Sequence, residues 1–481
     1  MANKSKTGVL GGGISALSFA YFYEEELDIF EKESSLGGLC RSFQDKDGVA
    51  WDIGPHITFS KNKEILDFIT SIVPMNKHKR LNRIYHDGEF IKYPFENHLY
   101  ALSEKEKEYC LNTFLDNPYE NFESNNMLEF FYQTFGEGIT RLFLEPYNRK
   151  IWKYEPSFLD KQMVERIPKP PPEDIINSAK GISSEGYLHQ LYFHYPKSGG
   201  FQSIVDNLQK MITANININL NSPIEKIQQN KNGKLIISSQ NKDFEYDKLI
   251  STIPIHETIN LLQEKPPKEV LEALDKLKYN SIHITCIKVK GDYLDDNFAI
   301  TFADPKLIFH RISKLNFLGN NYYQDGYTNL MVEVTYRPGL QEDIPHSELE
   351  STILNDLESS KLIDTSKVEN IFTNSFKYAY VIYDKGHRRN TDTVLNYLRS
   401  INIEPLGRFG TFEYINSDKA IELAKEKGCQ PIQIALSYVV NFEISAYPLV
   451  GPRNFFELDS CIEATNIELS KKDLRYLETG N

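Results

Sequence analysis

Lys6-Thr7-Gly8-Val9-Leu10-Gly11-Gly12-Gly13-Ile14-Ser15-Ala16 opens an apolar run that reaches Phe22, and Leu27-Asp28-Ile29-Phe30-Glu31 comes next. The pattern predicts a short buried strand over residues 6–10, a helix from Ile14 to Phe22 and a second strand ending on Glu31. Gly11, Gly13 and Ala16 stand in the G-x-G-x-x-G/A spacing. Gly11 permits the tight turn, Gly13 lets backbone approach a pyrophosphate, and the small Ala16 allows close helix packing. The helix N-terminus, with Ile14 and Ser15 in its first turn, offers unpaired N–H groups and the positive end of its dipole to that pyrophosphate. Glu31 is placed to accept from a ribose hydroxyl. Strand, helix, strand and acid in this order predict a dinucleotide site, with NAD and FAD both open.

Composition narrows the class. The 481 residues are 40% hydrophobic and 25% charged, ordinary globular material with ample apolar surface for a core. With 54 Lys+Arg against 67 Asp+Glu the net charge is −13, and nucleic-acid binders carry the opposite surplus. Cys40, Cys110, Cys286, Cys429 and Cys461 are widely spaced, with no CxxC pair, so neither a zinc site nor a disulfide framework is expected and no metal is assigned. Lys4 and Lys6 before an apolar run mimic a signal peptide, but three consecutive glycines and the acidic Glu24-Glu25-Glu26 argue against one. No other span approaches the ~20 apolar residues of a membrane helix. The expectation is a cytoplasmic protein with a small-molecule substrate, no nucleic-acid partner and no integral membrane segment.

The residues after Glu31 separate the two cofactors. Ser34-Ser35-Leu36-Gly37-Gly38-Leu39-Cys40-Arg41-Ser42 and Trp51-Asp52-Ile53-Gly54-Pro55-His56 resemble the amine-oxidase-type FAD superfamily, which includes protoporphyrinogen-oxidase-like proteins. The Gly-Pro-His is similar, more narrowly, to the UDP-galactopyranose mutase branch. Further segments resemble the family in order along the chain. They are the hairpin at 82–94 with its Asp87-Gly88 turn, Phe143-Leu144-Glu145-Pro146-Tyr147-Asn148-Arg149-Lys150-Ile151-Trp152, the turn after Tyr195 (Pro196-Lys197-Ser198-Gly199-Gly200), Tyr246–Pro254, and Leu406-Gly407-Arg408 through Tyr414, Asn416 and Asp418. Helical periodicity is expected at 103–115 and 127–143, and an antiparallel sheet at 280–337.

The resemblance implies FAD held by Gly11, Gly13, Ile14, Ser15, Ala16, Glu31, Lys32, Gly38, Leu39, Arg41, Gly54, Pro55, His56, Gly407, Arg408, Tyr414, Asn416 and Asp418. It implies a nucleotide sugar bound by Trp152, Arg166, Tyr195 and Arg311, with His56 and Arg311 catalytic, in surface-polysaccharide biosynthesis and through the flavin N5. Asn148 and Arg149 stand where the mutases carry Thr and Glu. Read alone, His56 is equally a turn histidine, Trp152 a core residue and Arg311 a surface cation. A hydride-transferring oxidoreductase of the amine-oxidase or protoporphyrinogen-oxidase kind is the second reading, and a flavoprotein kept as a binding subunit is the third.

Beyond residue 422 the pattern changes. Leu423–Tyr438, Tyr447–Asn454 and Ile467–Glu478 are similar to the end of an aldo/keto reductase, too little for the ~250 residues of a closed barrel. The expectation is two helices packed on the flavin domain. A dock for a partner reductase is the sharper possibility, with NADPH as an external reductant. The fold class is α/β, a discontinuous Rossmann-like FAD-binding domain (1–62, 196–260, 401–422) with a mainly helical cap (63–195), an antiparallel β substrate domain (261–400) and the tail (423–481).

Overall fold

The computed structural model describes residues 6–23, 26–164, 170–182, 184, 191–212, 216–339 and 344–428. β1 (Thr7–Leu10), α1 (Ile14–Phe22) and β2 (Leu27–Phe30) form where the sequence places them. Five strands pair in parallel in the order Ile403–Pro405, Lys248–Ser251, β1, β2, Ile216–Asn219. Every residue of β1 and β2 is buried, because both faces of this sheet are covered. α1 packs on one face, flanked by the helices Gln202–Met211 and Ser417–Gly428. The three-stranded sheet Lys226–Gln229, Leu235–Ser239, Lys242–Tyr246 covers the other, with Phe244 and Tyr246 against the Phe30 ring.

The second large element is a seven-stranded sheet in the order Val368–Ile382, Lys278–Lys290, Tyr327–Tyr336, Arg311–Lys314, Ala299–Phe302, Asn82–His86, Glu89–Lys92. Alternation sorts its faces. Ile282, Ile284 and Cys286 join the core shared with the helical region. Ile287 and Val289 pack instead with Leu349, Ile353 and Leu357 of the helix His346–Ser359. No sheet closes into a barrel among the described residues.

Three boundaries move. The hairpin at 82–92, assigned to the helical cap, is the end of the seven-stranded sheet, because Asn82–Tyr85 pairs parallel with Ala299–Phe302. The strand Tyr192–Pro196 crosses the 195/196 division to pair with Met75–Lys79. The helix Ser417–Gly428 crosses the 422/423 division, burying Ile421 and Ala424. Its first turns therefore belong to the flavin fold, and the rest of the reductase-like tail, 429–481, lies outside the described residues.

The predicted helix over 127–143 is also corrected. Met127–Ile139 breaks at Gly136 (φ 72, ψ 179), and Thr140–Leu144 winds as a π-turn into Glu145–Trp152. The cause is close backbone packing on the helix Glu104–Leu115. A Cβ on Gly136 would lie 2.4 Å from the Thr113 carbonyl oxygen, and Gly138 N–H donates to Thr113 Oγ1 at 2.8 Å. Gly136→Ala combines a left-handed φ with a backbone clash, together about 2–4 kcal/mol. We predict a clear drop in melting temperature by circular dichroism; a value within 1 °C of wild type (about the smallest shift worth reading) would contradict this account.

Candidate functional site

Three glycine segments build a cradle at the carboxyl end of β1. Gly11 turns at φ +88, where a Cβ would meet Ile253 Cγ2 at 2.8 Å and Thr252 Oγ1 at 2.9 Å. Gly13 caps α1 without a side-chain hydrogen bond, leaving the first N–H groups of the helix open to a ligand. Gly37 N–H donates to the Gly12 carbonyl at 2.8 Å, and a Cβ on Gly38 would lie 3.3 Å from Gly13 Cα. From the far end of the chain Gly407 (φ +82) closes on the same helix, its Cβ position 2.3 Å from Ser15 Oγ. Ile14 and Ala16 are buried beneath this turn.

Glu31 is held rather than free. Its carboxylate accepts from Gly12 N–H at 2.7 Å and Glu33 N–H at 2.9 Å. Each oxygen keeps a lone pair for a further donor. Arg41 donates to the Gly38 carbonyl at 3.1 Å and reaches Glu33 at 3.6 Å, so it braces the second glycine segment. Lys32 is a surface cation 3.9 Å from Glu33. Arg408 donates to the Ile415 carbonyl at 2.7 Å and lies over the Tyr414 ring. Asn416 precedes the helix Ser417–Gly428, and Asp418 sits in its first turn.

A cavity of about 490 Å³ adjoins the cradle. Leu39, Gly54, Pro55, His56, Arg408, Tyr414 and Asn416 line its cofactor side. Ile282, Ile284, Arg311, Glu333 and Tyr380 form the sheet side, Tyr147, Asn148 and Trp152 the helical side, and Arg80, Asn82 and Tyr93 a further wall. The His56 ring packs 5.3 Å from the Phe201 ring, and its Nδ1 is buried without a hydrogen-bond partner. Burial, with Arg408 nearby, pushes its pKa down to about 4, so the imidazole is neutral at pH 7 and offers a donor and an acceptor.

Arg311 is no isolated surface cation. Its Nε and Nη2 donate to the two carboxylate oxygens of Glu333 at 2.5 and 2.6 Å. The Glu333 side chain is 1% exposed and that of Arg311 29%, so one edge of the guanidinium is spent inward. Trp152 is a wall residue fixed by its own helix. Its Nε1–H donates to Asn148 Oδ1 at 2.8 Å, Asn148 donates to the Leu144 carbonyl at 2.7 Å, and the indole meets Tyr380 and Tyr414 edge-on. Arg149 points away to solvent, paired with Glu145 and Glu155.

Tyr195 is a correction. It is 1% exposed and absent from the cavity wall, its hydroxyl donating to Asp52 Oδ2 at 2.6 Å. It obeys a strand alternation that turns it inward, and it anchors the turn at 196–201 instead of touching a ligand. Arg166 lies outside the described residues. Arg80, Asn82, Tyr93, Tyr147, Glu333 and Tyr380 were not expected from sequence. Only Glu333 left a signal there, as a lone charge inside the apolar strand Leu330–Val334.

The family model for flavin containing amine oxidoreductases matches residues 25–374. The chain belongs to that family. It is therefore an enzyme of the flavin class with a flavin cofactor. The fold is similar to that of a reduced UDP-galactopyranose mutase, at 24% identity over 89% of this chain and 93% of that one, with a TM-score of 0.80. It is also similar to a CLA-producing fatty acid isomerase from P. acnes, at 14% identity over 89% and 98%, with a TM-score of 0.59. A putrescine oxidase bound to putrescine aligns at 11% identity over 88% and 98%, with a TM-score of 0.60. A second family model, that of the aldo/keto reductases, matches residues 347–480. Its described part, 347–428, is built into the flavin fold through the strand Val368–Ile382, the helix His387–Ser400 and the strand Ile403–Pro405.

The residues of the cradle fit a flavin nucleotide. Glycine is required where a Cβ would fill the turn at Gly11 and the contact of Gly407 with Ser15, α1 presents uncapped N–H groups, and His56 Nδ1 is an unpartnered polar atom in the adjoining cavity. Among the described residues no helix is long and apolar enough to cross a membrane. Cys40, Cys110 and Cys286 are buried free thiols, and burial pushes Cys40 and Cys110 up to about 12, which leaves them chemically quiet.

Proposed function

We propose that this enzyme is FAD-dependent and acts on a nucleotide-linked sugar, interconverting sugar forms as the mutase branch does, in the cytoplasm and for surface-polysaccharide synthesis. The observation that carries this reading is a cavity adjoining the cofactor cradle whose wall holds His56, Arg311 and Trp152 together. Gly11, Gly13, Ile14, Ser15, Ala16 and Glu31 hold the dinucleotide end, braced by Gly38 and Arg41, with Lys32 at the rim. Gly54, Pro55, His56, Leu39, Gly407, Arg408, Tyr414, Asn416 and Asp418 serve the ring end. When bound, the flavin supplies the reactive ring, and the protein supplies position and electrostatics. Arg311 stabilises charge that develops on a departing diphosphate. Neutral His56 orients a sugar hydroxyl, and Trp152 and Tyr380, edge-on to one another, form an aromatic corner of the wall.

A hydride-transfer reading has one observation in its favour. The buried carboxylate of Glu333 in the cavity wall suits an amine as well as it suits Arg311. The two readings separate on dithionite-reduced protein under anaerobic conditions with UDP-galactose and related nucleotide sugars. We expect isomer formation, detected by chromatography, while the flavin stays reduced. Flavin reoxidation coupled to a changed substrate would replace this reading with the oxidoreductase one. NADPH as external reductant and a partner reductase docked on 429–481 belong to the same proposal, tested by flavin reduction with NADPH and by co-purification of full-length and truncated chains.

A further inference from the structure

The tip of the hairpin at 82–92 brings together side chains that the flavin cavity does not use. Among the described residues, His86, Asp87 and Glu106 form a group in which one ligand atom of each lies within 4.8 Å of the others. They come from two elements. His86 ends the strand Asn82–His86 and Asp87 begins the turn after it, at φ 50. Glu106 lies in the first turn of the helix Glu104–Leu115.

Neighbouring groups hold two of the three in place. His86 Nε2 lies 2.9 Å from Glu106 Oε1, with side chains 17% and 23% exposed. The Phe95 ring meets the imidazole edge-on at 5.9 Å, and Ser103 Oγ–H donates to Glu106 Oε2 at 2.7 Å. Supporting contacts of this kind orient metal ligands. Burial works to raise the Glu106 pKa, but the hydrogen bonds from Ser103 and His86 outweigh it and keep the carboxylate ionised. A plain His–Glu pair would account for that contact and leave out Asp87, whose exposed carboxylate has no hydrogen bond or ion pair among the described residues. Two carboxylates on one histidine leave an excess of negative charge that a dication neutralises.

The ligand set selects the ion. Two ligand atoms ~2.1 Å from a zinc ion stand about 3.4 Å apart in a tetrahedron. The 2.9 Å contact and the 4.8 Å limit of the group bracket that spacing. One imidazole with two carboxylates suits Zn²⁺ better than Mg²⁺ or Ca²⁺, which favour oxygen ligands alone. We propose that His86, Asp87 and Glu106 bind a zinc ion, with water in the remaining positions, and that the ion pins the hairpin tip to the helix Glu104–Leu115. The base of the same hairpin carries Asn82 and Tyr93 of the cavity wall, so the ion ties that wall to the helical region from outside. The site uses no cysteine, which is why cysteine spacing gives no sign of it. None of this depends on which substrate the cavity takes.

The test uses the untagged full-length holoenzyme, stripped with EDTA, desalted and titrated calorimetrically with zinc chloride at neutral pH. Wild type is expected to bind Zn²⁺ with a Kd on the order of 1–10 μM. His86→Gln, Asp87→Asn and Glu106→Gln, each with wild-type flavin content, are expected to weaken that binding by roughly 10- to 100-fold. Glu104→Gln removes a 72% exposed carboxylate of the same helical turn that is not in the group, and is expected to change nothing. A tenfold excess of Mg²⁺ should not displace the zinc. Asp87→Asn keeps the turn, since asparagine accepts a left-handed φ, so it decides the matter if the His86 variant folds poorly. Zinc uptake that survives all three substitutions, no uptake by wild type below about 100 μM, or displacement by Mg²⁺ on equal terms would overturn the site and leave His86 and Glu106 as an ordinary surface pair.

Discussion

Replacing Arg311 with methionine is expected to lower the melting temperature by several degrees and to weaken UDP binding by about two orders of magnitude. The two losses have different causes. Glu333 lies at the middle of the seven-stranded sheet with its side chain 1% exposed, and Arg311 gives it both hydrogen bonds of a fork. Removing the arginine strands a buried carboxylate, a loss of about 3–5 kcal/mol. Binding is lost separately, because the outward edge of the guanidinium goes with it. Arg311→Met/Glu333→Leu takes out both charges and replaces them by apolar groups of comparable length. It is expected to recover most of the thermal stability, since a buried ion pair exchanged for apolar packing is close to neutral. UDP affinity should stay low. A double variant that binds UDP like wild type would remove Arg311 from the binding site; a single variant as stable as wild type would show that Glu333 does not depend on it.

The parts of this fold that were legible are those governed by local spacing. β1, α1 and β2 arise from a glycine pattern and two apolar runs, and the hairpin at 82–92 arises from alternation around Asp87-Gly88, both with positive φ. Local spacing leaves the partner open. The same hairpin pairs with Ala299–Phe302, more than two hundred residues away in sequence, and nothing in residues 82–92 specifies that edge. The helix 127–143 has an unbroken apolar periodicity, yet Gly136 breaks it because another helix's backbone comes too close for a Cβ.

Tyr195 shows the same limit at the site. Its motif places it beside the glycine turn correctly, but which way the ring faces depends on strand pairing with Met75–Lys79 and on the buried acceptor Asp52. Asn148 and Arg149, the departures from the mutase pattern, resolve in opposite ways. Asn148 turns inward to hold Trp152, and Arg149 turns out to a surface ion-pair network. Arg80 carried no sequence signal at all, since a lysine- and arginine-rich stretch is ordinarily a solvated face.

Asp52 and His56 titrate in opposite senses, and their opposition predicts a pH dependence that single substitutions uncover. Burial raises the Asp52 carboxyl to about 6, even though Ser42 Oγ–H, Tyr195 Oη–H and Phe201 N–H all donate to it. Against ~3.9 in an unfolded chain, the folded protein holds this proton more tightly. Stability from this group therefore falls as pH rises from ~4 to ~6, by up to ~3 kcal/mol. For His56, burial and Arg408 depress the folded pKa to about 4, against ~6.5 unfolded. Its contribution is complete above ~6.5 and is lost as pH falls toward ~4. Within the shared window each slope is ~1.4 kcal/mol per pH unit and the two nearly cancel.

Asp52→Asn removes one slope and keeps the packing. The carboxamide oxygen accepts from Ser42 and Phe201, and its nitrogen donates to Tyr195 Oη, whose proton rotates away. The stability of Asp52→Asn relative to wild type should therefore rise between pH 4.5 and 6 by about 2 kcal/mol, read from denaturant or thermal unfolding at constant flavin. The other depressed histidines, His256 and His387 among them, are common to both proteins and drop out of the difference. His56→Gln should give the opposite sign, losing ground to wild type as pH rises through the same window. A difference that does not vary with pH in either variant would mean that the buried pair beside the cofactor loop does not titrate as its burial dictates.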